Sequence, residues 1–93
     1  MKKILGNFKE VRNIQGKNGP VKNQFIIQTD MGTVFQSYAS IIAVKIDGKV
    51  LLDEDRWNYS MTTSKYRNIF LRETKEKTEQ KIKSGEYILT KLN

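Results

Sequence analysis

Apolar residues in the first half of the chain fall in short alternating or clustered runs, and a helical period sets in only after Trp57. Between Lys3 and Ile14 the apolar marks are Ile4, Phe8, Val11 and Ile14, which suits one strand or two with a bend at Gly6-Asn7. Residues 15–20 combine two glycines, an Asn-Gly pair and the only proline, so they predict a loop. Residues 23–29 carry Phe25-Ile26-Ile27, a β-branched and aromatic run typical of a strand. A tight turn at Asp30-Met31-Gly32-Thr33 then leads into a strand over 34–38. Residues 40–46 are apolar at nearly every position, as a strand covered on both faces is, which places them centrally in the sheet. Asp47-Gly48 is the strongest hairpin signal, because both turn positions tolerate positive φ. Residues 49–53 then return antiparallel to residues 41–46.

Beyond Trp57, Ser60, Thr62 and Thr63 each suit a helix N-cap, whose side-chain oxygen accepts from a backbone N–H. Tyr66, Ile69 and Phe70 recur at i, i+3 and i+4, a stripe facing the sheet. Residues 72–83 are nearly all polar but favour helix, with Glu73–Lys77 and Glu79–Lys83 at supportive spacing and Lys77–Lys81 opposed. Ser84-Gly85 supplies the stop, with Lys81 and Lys83 against the negative helix end. A last short strand covers 86–92. The pattern predicts one α+β domain over residues 1–93. It is an antiparallel sheet of about five strands, crossed on one face by a single long or kinked C-terminal helix and completed by the short final strand. A strongly bent sheet approaching a small barrel is the alternative. The polar second half of the helix either faces solvent or is completed by a partner, such as a second copy.

Composition narrows the chemistry. With no Cys and no His among 93 residues, the chain lacks thiolate nucleophiles, sulfur-based zinc sites and the usual near-neutral acid–base group. The expectation is a protein without catalytic activity, metal or cofactor. Asp53-Glu54-Asp55 is the one carboxylate cluster; consecutive strand residues point to opposite faces, so it reads as a turn and not as a magnesium site. The Gly16–Gly19 stretch lacks the strand-before, helix-after setting of a phosphate loop. No apolar run approaches membrane-spanning length, and no apolar segment follows Lys2-Lys3, so a cytoplasmic protein is expected.

Formal charge is +7, a field that draws polyanions. Basic residues gather over 1–22 and over 61–83. Lys65, Arg67, Arg72, Lys75, Lys81 and Lys83, with Lys17 and Lys22 secondary, are the candidate contacts to phosphate or an acidic face. Of these, Lys65, Arg72, Lys75 and Lys83 share one side of a continuous helix. Trp57 and Tyr66 read as core, Phe70 likewise, and Tyr38 and Tyr59 as residues at a boundary with water.

The motif Phe35-Gln36-Ser37-Tyr38-x-Ser40-Ile41-Ile42-Ala43, the segment Gly48-Lys49-Val50-x-Leu52-Asp53, the block Trp57-x-Tyr59-Ser60-x-Thr62-Thr63-x-Lys65-Tyr66-x-x-x-Phe70-Leu71 and the ending Ile82-x-Ser84-Gly85-Glu86-Tyr87 resemble a small uncharacterised family from phages and mobile elements. The resemblance spans about the last two-thirds of the chain. It implies a phage or plasmid setting and names no functional residue. The expected function is a non-enzymatic phage accessory protein that binds nucleic acid or a host nucleoprotein complex, as an anti-CRISPR-type inhibitor of host defence. The alternative is a protein-interaction or homo-oligomerisation module.

Overall fold

The computed structural model describes residues 7–93, so Lys2, Lys3 and the start of the expected first strand lie outside the described residues. Five strands run as a meander: β1 (Phe8–Gly16), β2 (Gly19–Thr29), β3 (Gly32–Ser37), β4 (Ser40–Ile46) and β5 (Lys49–Asp53). Helices α1 (Met61–Leu71) and α2 (Lys75–Ser84) follow, and β6 (Tyr87–Thr90) completes a sheet ordered β1-β2-β3-β4-β5-β6. The architecture is α+β as expected, with two corrections. The sheet has six strands, and its last pair is parallel, with Val50 opposite Tyr87 and Asp53 opposite Thr90. Parallel neighbours need a long crossover, and the helical excursion between β5 and β6 is that crossover.

The second correction concerns the helix. In place of one long or kinked helix there are two, separated at Arg72-Glu73-Thr74. Ser60 caps α1, its Oγ accepting from the Thr63 N–H at 3.1 Å. Arg72 ends α1 in the left-handed region at φ 57°, and its N–H reaches back to the carbonyls of Asn68 and Ile69. Thr74 then caps α2 by accepting from the Lys77 N–H. A threonine within a polar helical run competes for the backbone in this way, and here it wins.

Asp47 and Gly48 both have positive φ, and β4 pairs with β5 antiparallel from Ile46–Lys49 to Ala43–Leu52, as the Asp-Gly turn predicts. The loop expected over 15–20 shrinks to Lys17-Asn18, because Gln15 pairs with Pro20 and Gly16 with Gly19. The result is a longer β1–β2 arm than the sequence pattern suggested.

The sheet carries apolar residues on both faces. On the first, Ile14, Ile26, Phe35, Ile42 and Leu52 pack with Phe70 and Leu71 of α1 and with Tyr87. Phe35 and Phe70 stack with ring centroids 5.7 Å apart. On the second, Ile27, Val34 and Val44 gather with Leu92, and no helical residue joins them. The C-terminal tail crosses there: Asn93 Oδ1 accepts from the Ile41 N–H and its Nδ2 donates to the Ile41 carbonyl, so a side-chain amide replaces a strand partner. No helix among the described residues is long and apolar enough to cross a membrane.

Candidate nucleic-acid interface

The buried side of α1 differs from the expected stripe: Thr63, Arg67, Phe70 and Leu71 point inward, Tyr66 is half-buried, and Ile69 remains 46% exposed. Polar pairing sets this rotation. Ser37 and Thr63 share a buried hydroxyl hydrogen bond of 3.0 Å beneath the first turn. Arg67 is wholly buried; its Nη1 donates to the Trp57 carbonyl at 2.6 Å, its Nη2 donates to Asn68 Oδ1 at 2.9 Å, and the guanidinium lies over the Trp57 ring. Burial lowers its pKa. Arg67 is therefore a structural cation tying the Trp57 loop to α1, and as an expected surface contact it is corrected.

Lys81 is likewise engaged. It donates to Glu73 Oε1 at 2.8 Å, and the same carboxylate accepts from Thr78 Oγ1 at 2.6 Å and Tyr87 Oη at 2.9 Å. The Glu73 and Tyr87 hydrogen bonds push the Lys81 pKa up. Burial pushes the Glu73 carboxyl up, but the donors from Lys81, Thr78 and Tyr87 outweigh it and leave the group below its ordinary value. This corner is electrostatically closed.

The opposite holds along the seam between the β1–β2 arm and α1. A cleft of about 410 Å³ opens there, with Arg12, Lys45 and Arg72 in its lining beside Asn13, Phe70 and Ile69. Where its wall reaches Gln15, a second cleft of about 190 Å³ begins at Gly16 and runs around the arm tip, with Lys17, Lys65 and Tyr66 in its lining. Arg12, Lys45 and Arg72 line the larger cleft and Lys17 and Lys65 the smaller, and no carboxylate is among the lining residues of either. Lys45 leaves β4 toward α1, donates to the Phe70 carbonyl at 2.7 Å and lies 4.4 Å from the Phe70 ring centroid. Burial lowers its pKa and the neighbouring Arg72 lowers it further, against a smaller opposing pull from Glu73. Arg12 has Glu10 at 3.9 Å, both well exposed, an arrangement of little energetic weight.

Of the expected set, Lys17 and Lys65 share the smaller cleft, Arg72 lines the larger one, and the rest lie elsewhere. Lys75 lines a separate hollow with Tyr59 and Met61, while Lys22 and Lys83 are exposed away from both clefts. The break between helices separates Lys75 and Lys83 from the side shared by Lys65 and Arg72. Arg12 and Lys45 line the larger cleft and were not among the expected residues. A lone lysine in the apolar run of β4 was the available signal for the second.

Asp53, the first of the acidic triplet, is 2% exposed. Its carboxylate accepts from the backbone N–H groups of Leu92, Asp55 and Arg56. Burial raises its pKa, but these donors, led by Leu92, outweigh the effect and hold it below the ordinary range. Its role is to fasten the C-terminal tail to the end of β5.

A family of unknown function (DUF8033) matches residues 9–86, and the chain belongs to it. No curated protein and no solved structure matches the chain.

Proposed function

We propose that this protein is a non-enzymatic binder of nucleic acid, gripping the phosphate backbone along the seam between the β1–β2 arm and α1. The observation that carries this reading is the lining of that seam: Arg12, Lys45, Arg72, Lys17 and Lys65, with no carboxylate among the lining residues. Like charges so gathered repel one another, and a polyanion relieves that cost while releasing its own counterions. Arg72 adds to the argument. It occupies a left-handed cap where glycine is usual, at a cost of about 1 kcal/mol, and lines the cleft from there. The resemblance carried by the Trp57–Leu71 block supports a phage or mobile-element setting, and within it we take the target to be a nucleoprotein defence complex in the host cytoplasm.

The test is salt-dependent binding to labelled oligonucleotides. Five phosphate contacts give a slope of log affinity against log salt of about −3.5 to −4.5. Simultaneous Lys17→Glu, Lys65→Glu and Arg72→Glu lowers affinity about a hundredfold or more, with the thermal unfolding midpoint held near that of the parent. Absence of binding at low salt overturns the reading and turns attention to an acidic protein face.

A second reading, self-association, draws on the helix-free sheet face, where Phe25, Ile41, Ile46 and Leu51 stay half-buried around the Val34 cluster. The molecule measures 32 × 32 × 20 Å, so a broad face can supply the roughly 800 Å² per partner of a stable dimer. A scattering mass of twice the monomer, without any salt-sensitive nucleic-acid binding, favours it.

A further inference from the structure

We infer that the larger cleft receives one unpaired base of a single-stranded nucleic acid while the phosphates of that strand follow the cations along the seam. The inference rests on the nucleic-acid reading above and adds strandedness and a base site to it. At about 410 Å³ the cleft falls within the roughly 300–1,000 Å³ of small-molecule sites. Its lining is of two kinds. Ile69 on α1 supplies the exposed apolar wall, and the buried Ile14, Ile26 and Phe70 floor a shallow apolar slot against which the plane of a base can lie. The 46% exposure of Ile69, on a helix whose other large apolar residues are covered or half-covered save the terminal Met61, is otherwise unexplained by packing.

Polar groups stand at the rim of that slot. Asn13 Nδ2 donates to the Val21 carbonyl at 2.9 Å, which fixes the amide and leaves its oxygen with acceptor capacity. Thr33 Oγ1 donates to Gln28 Oε1 at 3.1 Å and likewise keeps an acceptor side. Acceptors beside an apolar slot suit the amino-bearing edge of an unpaired base. A duplex keeps its base faces stacked, so it reaches only the cations; a single strand can splay a base into the slot. One helical turn back on α1, the Tyr66 ring lies in the smaller cleft with Lys65 Nζ 5.4 Å from its centroid, a stacking surface for a neighbouring base.

The experiment compares fluorescence anisotropy of a labelled single strand, RNA and DNA in separate arms, with a duplex of the same sequence, across a salt series. A fluorescent adenine analogue within the strand reports whether a base leaves the stack. The expected result is at least tenfold tighter binding of the single strand at equal salt and a change in analogue emission on binding. Ile69→Ser removes the exposed apolar wall without adding a ring or a charge and brings single-strand affinity down to the duplex level with the salt slope unchanged. Equal affinity for single strand and duplex, or an Ile69→Ser variant that is folded and keeps the single-strand preference, overturns the base site while leaving the phosphate seam standing. No binding of either form overturns the seam itself. The parent comparison needs no variant, so it decides even where Ile69→Ser fails to fold.

Discussion

Arg72 and Glu73 are adjacent in the chain and belong to opposite electrostatic regimes. Glu73 turns toward α2 and β6, where Lys81, Thr78 and Tyr87 saturate its carboxylate and its side chain is only 6% exposed. Arg72 turns toward the arm, where Arg12 and Lys45 share its cleft without a carboxylate in the lining. The difference teaches that local charge balance in sequence does not set local charge balance in space. By drawing Glu73 inward, the corner at α2 withdraws from the seam the acid closest to it in sequence. The closed corner adds to stability; the open one leaves its positive charge unmatched by any acid in its lining.

The sharpest way to break the contrast is through the backbone beneath it. A Cβ at Gly32 would collide with the Lys45 carbonyl oxygen, so Gly32→Ala pushes β3 from β4 at the residue that anchors the cationic cleft. A loss of about 3 kcal/mol is expected from urea unfolding. Opening the closed corner comes next. Glu73→Ala leaves the Tyr87 hydroxyl without its acceptor and Thr78 with only the Thr74 carbonyl, and costs about 2 kcal/mol. The same change uncovers positive charge, so oligonucleotide affinity should rise, not fall. A drop in affinity would show that the two corners are not separable.

Acid titration sharpens the comparison more gently. Glu73 and Asp53 both have lowered folded pKa values, so the unfolded state binds more protons in acid. Their contribution is fully present above the unfolded values of about 4.3 and 3.9 and is lost as pH falls through the lower folded values. The urea midpoint should therefore decline below about pH 4 and stay nearly flat from pH 6 to 8, since the sequence has no histidine. The smallest effect belongs to Lys83→Glu. Lys83 is exposed and outside both clefts, so stability should stay within about 0.5 kcal/mol and oligonucleotide affinity nearly unchanged.

Signals of short range were legible from the chain itself. Asp47-Gly48 states its turn chemistry outright, and Ser84-Gly85 does the same for the end of α2, where Gly85 has φ 85°. What failed to show was long-range. Residues 72–83 have helix-forming composition throughout, and the break depends on Glu73 reaching Tyr87 and on an arginine accepting a conformation that usually marks glycine. Arg67 looked like any helical surface cation, because its acceptors are a backbone carbonyl and an asparagine amide that no charge pattern reveals. The candidate site was half legible. Lys17, Lys65 and Arg72 were named, but Arg12 of β1 and Lys45 of β4 meet Arg72 only through strand pairing and the packing of α1 on the sheet, which no single segment records.

The parallel seating of β6 has a consequence for the order in which the molecule assembles. The meander closes through short turns and can zip early, whereas β6 must wait until both helices have been laid across the sheet. A nascent chain released only as far as Asp53 would already display the arm and its lysines, yet α1, the other bank of the channel, would not exist. On the proposed reading, affinity for an anionic strand arrives only once α1 has been made and is not a property of the first half.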